Sequence, residues 1–135
     1  MDRAPAPQVT LRETTAAGAV PLLAPAGRYD TTDGAETVER VAQAGRTFVV
    51  SRDGRDVLAY CLQRQGDEVY VLAAAGAADF DLTALGLLLI EAQARGAASV
   101  AFQTCRPGLI RKAGRHGYKI EGRVANGVIM RKVLR

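Results

Sequence analysis

The stretch RPGLIRKAGRHGYKIEG, Arg106–Gly122, decides how this chain is read. Pro107 and Gly117 bracket it. Proline suits the first turn of a helix, where an N–H is not needed, and glycine suits the position just past the end. Leu109, Ile110 and Ala113 give the segment between them an apolar stripe, so a helix is expected there. Tyr118 to Val124 and Val128 to Leu134 follow as two strands around Asn126-Gly127, a pair that favours a tight hairpin turn.

Working back from this helix and hairpin, Ala98 to Gln103 reads as a strand carrying Val100 and Phe102. Before it, Leu82 to Arg95 reads as a helix that Asp79 or Asp81 can cap and Gly96 can end. Its run Ala84-Leu85-Gly86-Leu87-Leu88-Leu89-Ile90 is apolar nearly all round, which fits a helix buried against a sheet. Three strands precede it, Arg46 to Arg52, Asp56 to Arg64 and Glu68 to Ala74, turned by Asp53-Gly54 and Gly66-Asp67 into an antiparallel meander. Val57 to Leu62 is apolar on both faces, so that strand should be central and covered twice. A further helix is expected from about Asp33, capped by Asp33 with Glu36 three residues on and ended by Gly45. Thr14 to Tyr29, rich in Ala, Gly and Pro, reads as irregular, and Gln8 to Arg12 as a short strand. The expectation is one α/β domain over residues 8–135, a mixed central sheet flanked by helices, after a disordered tail at 1–7.

Composition limits the function classes. The chain has 135 residues, 48% hydrophobic and 24% charged, which suits one domain with a true core. No secretory signal or membrane span is expected, and a cytoplasmic setting follows. Cys61 and Cys105 stand in no metal-ligand spacing and read as buried reduced thiols; with His116 the only histidine, no metal site is expected. The net charge of +4 divides into −4 over residues 1–105 and +8 over 106–135. A basic terminal quarter suits an anionic ligand, an acidic partner or nucleic acid. Nucleic acid ranks last, because few aromatics are available for stacking and no known motif is present.

The order of elements resembles the GNAT (Gcn5-related N-acetyltransferase) fold over nearly the whole chain, and Gly117-Tyr118 resembles the glycine-aromatic exit of that family's last helix. The resemblance implies an acyl-CoA-dependent N-acyltransferase using acetyl-CoA or another acyl-CoA. In such proteins the fourth and fifth strands part and the pantetheine arm lies on the fourth, which here implies backbone contacts at Val71, Leu72 and Ala73. The pyrophosphate loop, of pattern (Gln or Arg)-x-x-Gly-x-(Gly or Ala), is closest to Ala73–Ala78, so Gly76, Ala77 and Ala78 are the implied phosphate contacts. Arg111 and Lys112 lie where the cofactor's phosphates would emerge. Glu68 is implied as general base, and Tyr118, on the strand side of the Gly117 turn, as the candidate proton donor to the leaving thiolate.

The sequence departs from that pattern at several points. Ala73 stands where the family has Gln or Arg, Asp79 and Asp81 put negative charge at the helix mouth, and Ala113 takes the place of the usual helix tyrosine. A second function class therefore stays open: a GNAT-like binding or assembly module without cofactor chemistry, of a type seen in phage and prophage genomes. The exposed closing hairpin could then pair with a protein partner or a second copy.

Overall fold

The computed structural model describes residues 8–29, 37–77 and 81–135, with only the backbone described at 27–29. The expected tail at 1–7, the Asp33 and Glu36 cap, Ala78 and Asp79 lie outside the described residues. Seven strands form one sheet in the order β1-β2-β3-β4-β5-β7-β6. They are β1 (Val9–Thr14), β2 (Arg46–Arg52), β3 (Arg55–Gln65), β4 (Glu68–Gly76), β5 (Ser99–Thr104), β6 (Lys119–Val124) and β7 (Gly127–Val133). Every neighbouring pair is antiparallel except β4 with β5. That parallel step needs a crossover, which the third helix, α3 (Leu82–Gln93), provides.

The sheet is covered on both faces, as the doubly apolar β3 requires. Val57, Tyr60 and Leu62 join Leu87 and Ile90 of α3 in one cluster, to which the last helix, α4 (Pro107–Arg115), adds Ala113. Ala59 and Cys61 face the other way, into a cluster with Ala19 and Leu23 of α1 (Ala16–Leu23) and Ala42 of α2 (Val38–Ala44). The Cys61 thiol donates to the Val41 carbonyl there, whereas Cys105 is only half-buried, so the expectation of two buried thiols holds for one.

The segment expected to be irregular is α1 followed by a 3₁₀ turn, Ala24–Tyr29. Composition misleads because the helix rests on a cap and on packing. Thr15 accepts from Gly18 N, and Ala19 and Leu23, one turn apart, are fully buried. Pro21 cannot donate inside the helix, which ends two residues later. Thr37, whose hydroxyl accepts from Arg40 N, caps α2.

Two glycines differ from their expected roles. Gly45 follows α2 in an extended conformation, at φ −140°, rather than in a left-handed cap. Gly127 is the first residue of β7 rather than a positive-φ turn residue, and a Cβ there would stand 2.4 Å from the Thr104 carbonyl oxygen. Backbone cannot retreat from such a clash as a flexible side chain could. Gly127→Ala should therefore lower unfolding stability by about 1–3 kcal/mol in a urea titration. Gly114→Ala, on an open face of α4, should instead raise it by about 0.5–1 kcal/mol. Equal effects at the two sites would show that the close approach of β7 to Thr104 does not constrain the hairpin.

Candidate functional site

β4 and β5 pair over four residues only, Glu68↔Ser99 to Val71↔Phe102, and then part. Past this point each strand follows its other neighbour: Ala73–Gly76 stay with β3, and Gln103 and Thr104 stay with β7. The register of β4 with β3 shifts beside Cys61 and Leu62, so Leu72 is skipped and bulges where the strands separate. Glycine at 76 lets β4 pack closely on β3 beside the gap. A Cβ on Gly76 would meet the Val57 carbonyl oxygen at 2.5 Å.

The gap is a cavity of ≈ 830 Å³, within the range of pockets that hold small-molecule ligands. Val71, Leu72 and Ala73 line it, between Leu82 and Leu87 of α3 on one side and Val38 and Val41 of α2 on the other. The three expected backbone contacts are thus brought together. Tyr60 also lines it; burial pushes its hydroxyl up to about 12, and that hydroxyl donates to Gln93 Oε1.

The expected phosphate loop is arranged differently. Gly76 belongs to β4 and lies beside Leu82 at the start of α3, while the Ala77 N–H is taken by the Val57 carbonyl at 3.0 Å. Asp81 caps α3 there, its Oδ1 accepting from Thr83 N at 3.0 Å and Ala84 N at 3.2 Å. These are donors that would otherwise face an anion.

A second cavity of ≈ 430 Å³ opens where α3 and α4 begin, lined by Thr83, Cys105, Arg106, Arg111 and Lys112. It shares Thr83, Arg106 and Leu109 with the larger cleft, so the two adjoin. Among the described residues, Arg111 and Lys112 have no ion pair, unlike Arg131, Lys132 and Arg135.

Neither expected catalytic side chain lines the cleft. Glu68 sits at its closed end, where Arg131 Nε donates to it at 2.5 Å and Ser99 Oγ at 2.6 Å. The Arg131 hydrogen bond holds the Glu68 carboxyl below the usual carboxylate range, the opposite of a waiting base. Tyr118 is buried on the α3 and α4 side, its hydroxyl 3.5 Å from Glu91 Oε2, and burial raises its pKa. Both expected roles required a side chain reaching the cleft, and partners elsewhere hold these two.

From the sequence Tyr70, like Tyr60, reads as an ordinary core or sheet-surface aromatic on a meander strand. It lines the cleft at the point of parting, and its hydroxyl is buried and makes no well-formed hydrogen bond, although the Gln103 side chain lies beside it. No sequence signal separates it from other strand tyrosines, because the cue is the register of β4 against β5.

No protein-family model matches the sequence, and no curated protein matches it. Solved structures do. An IAA acetyltransferase from Bacillus cereus superposes with TM-score 0.70 at 15% identity, over 94% of this chain and 100% of that one. A GNAT family acetyltransferase from Elizabethkingia anophelis, solved with acetyl-CoA bound, gives 0.69 at 14% over 93% and 98%. The ribosomal-protein-S18-alanine N-acetyltransferase of Escherichia coli gives 0.68 at 16% over 94% of both. The chain has the GNAT acyl-CoA N-acyltransferase fold.

The Glu68–Arg131 pair sets a pH dependence. A depressed carboxylate stabilises the fold above its unfolded value of about 4.3, and that contribution is lost as pH falls through the lower folded value. Glu68→Gln should melt below wild type at pH 7, with the gap closing as pH drops below about 4. A gap unchanged from pH 7 to 3 would mean that the charge pair does not stabilise the fold.

Proposed function

We propose that the chain binds an acyl-CoA, acetyl-CoA being the simplest, and acts as a divergent N-acyltransferase on an amine acceptor. The observation that carries this reading is the parting of β4 from β5 after Val71, which leaves a ligand-sized cleft along strand backbone. Val71, Leu72 and Ala73 would hold the pantetheine arm, and Arg111 and Lys112 the phosphates, since guanidinium and ammonium groups bind phosphate well. In this proposal the phosphates rest on the α4 side, with Gly76 in the wall of the cleft, because Asp81 fills the α3 mouth.

Bound acyl-CoA supplies the activated acyl group, and the chain contributes binding and alignment. A neutral amine held against the acyl carbon needs positioning more than it needs a base, and good positioning alone gives large accelerations. Glu68 and Tyr118 are assigned to holding the sheet and helix together. A cytoplasmic location belongs to the same reading, since acyl-CoA is an intracellular metabolite.

The second reading is a catalytically silent module of the phage and prophage type. It is favoured by Asp81 at the helix mouth and by the complete burial of Ala113. Partner or self-association would then use the hairpin, whose strand β6 ends the sheet and exposes Ile120.

Thermal melting with acetyl-CoA separates the two. At a hundred times its dissociation constant a ligand adds about 2.7 kcal/mol, on the order of 10 °C for a chain of this size. Wild type should show such a shift at millimolar acetyl-CoA, and the double variant Arg111→Glu/Lys112→Glu should lose most of it. No shift in wild type would overturn the acyl-CoA reading and leave the module.

A further inference from the structure

The cleft does not end where its two strands meet. β4 and β5 pair from Val71↔Phe102 down to Glu68↔Ser99, and this paired stretch closes the gap through the sheet. Ala44, Gln63 and Gln65 nevertheless line the same cavity, and Gln65 stands opposite Glu68, beyond the point of parting. The Gln63 amide donates to the Ala44 carbonyl at the end of α2, and the Gln65 amide donates to Gln63 Oε1, so this extension runs over the α2 face. From Val71 to Glu68, at a strand rise of about 3.3 Å per residue, its length is about 10 Å.

The walls of the extension are apolar and uncharged. Val38 and Val41 of α2 and Leu72 of β4, all half-buried, line it together. Among the described residues, Arg106 is the one charged side chain on the whole cavity, and it lies at the opposite end, shared with the basic cavity of Arg111 and Lys112. A cationic amine held in the extension would give up water without gaining a carboxylate, which is unfavourable. An alkyl chain gains by leaving water and by covering the two valines and the leucine.

The length of the cleft decides which part of a ligand arrives there. From Gly76 to Val71, β4 spans about 17 Å, comparable to an extended pantetheine arm. A ligand with its phosphates by Arg111 and Lys112 and its arm on Val71, Leu72 and Ala73 has its thioester where the strands meet. The group beyond the thioester then enters the extension.

We propose that the extension on the α2 face holds the tail of an acyl group, so that this chain takes acyl thioesters of about six to eight carbons in preference to acetyl-CoA, a zigzag of carbon–carbon bonds of about 1.5 Å each filling the space. The inference rests on the acyl-CoA reading above.

Titration calorimetry on the full chain, with acetyl-CoA, butanoyl-CoA, hexanoyl-CoA and octanoyl-CoA as separate probes, tests this. Full burial of one methylene is worth about fourfold in affinity, and in a groove open on one side each should add about twofold. Hexanoyl-CoA should therefore bind wild type at least about tenfold more tightly than acetyl-CoA. Val38→Thr/Val41→Thr keeps the shape of the α2 wall and makes it polar, so its hexanoyl-to-acetyl ratio should fall to within about threefold. Ligand-free melting establishes that the variant is folded, and Val41→Thr alone serves if the pair is not. Equal affinity across the series, weakening beyond acetyl, or a gain undiminished in the folded threonine variant would each overturn the acyl site, while binding of acetyl-CoA keeps the acyl-CoA reading. Affinity for n-alkylamines in the presence of CoA that rises with chain length, with no rise across the acyl series, would give the extension to the acceptor and likewise overturn it. Failure of wild type to bind any of the thioesters is a different result, which removes the acyl-CoA reading and this inference with it.

Discussion

β4 is paired to β3 along nearly its whole length but to β5 for only four residues, and the rest of the molecule is arranged around that mismatch. Strand backbone past Val71 turns toward a gap instead of a neighbour, and unpaired peptide groups need water or a ligand. The sheet cannot close over the gap. Leu82 and Leu87 of α3 stand against it from one face and Val38 and Val41 of α2 from the other, while β7 holds Gln103 and Thr104 of β5 to its own register. A cleft built this way keeps its shape because it is bounded by paired strands and packed helices rather than by loops.

The same arrangement sorts the charges. The excess of positive charge in the last thirty residues does not form one basic face. Arg131 binds Glu68 and Glu121, Lys132 binds Glu91, and Arg135 binds Asp67, so these cations tie β7 and the C-terminus to the strands and helix beside them. Arg111 and Lys112, on α4, are left facing a cavity that adjoins the cleft. Like Glu68, which the family resemblance implies as a base, the paired cations are taken up in holding the sheet, and Arg111 and Lys112 lie one helix away.

Much of the fold was legible because it depends on local chemistry. The positive φ angles at Asp53, Gly54 and Gly66 are those the hairpin turns demand, and Gly117 at φ +93° is the glycine exit read from Arg106–Gly122. The apolar runs at 57–62 and 84–90 identified the central strand and the buried helix for the same reason. Reading failed where a residue's role depends on a distant neighbour. Gly127 is glycine because of Thr104, Gly76 because of Val57, and α1 is helical despite Pro21 because Ala19 and Leu23 are buried under the sheet.

The Arg106–Gly122 stretch, with the meander and buried helix before it, determined an α/β domain with the element order of the GNAT fold, since periodicity, caps and turn residues act over a few positions. Sequence also placed Val71, Leu72 and Ala73 on the strand that borders the cleft. Only the tertiary structure decided which side chains reach it. Whether a strand residue faces a groove, a salt bridge or a helix depends on the register of neighbouring strands. At β4 that register is set by the Leu72 bulge and by the different partners that β4 and β5 follow, so Tyr70 stands at the point where the strands part, whereas Arg131 holds Glu68 and packing against α3 holds Tyr118.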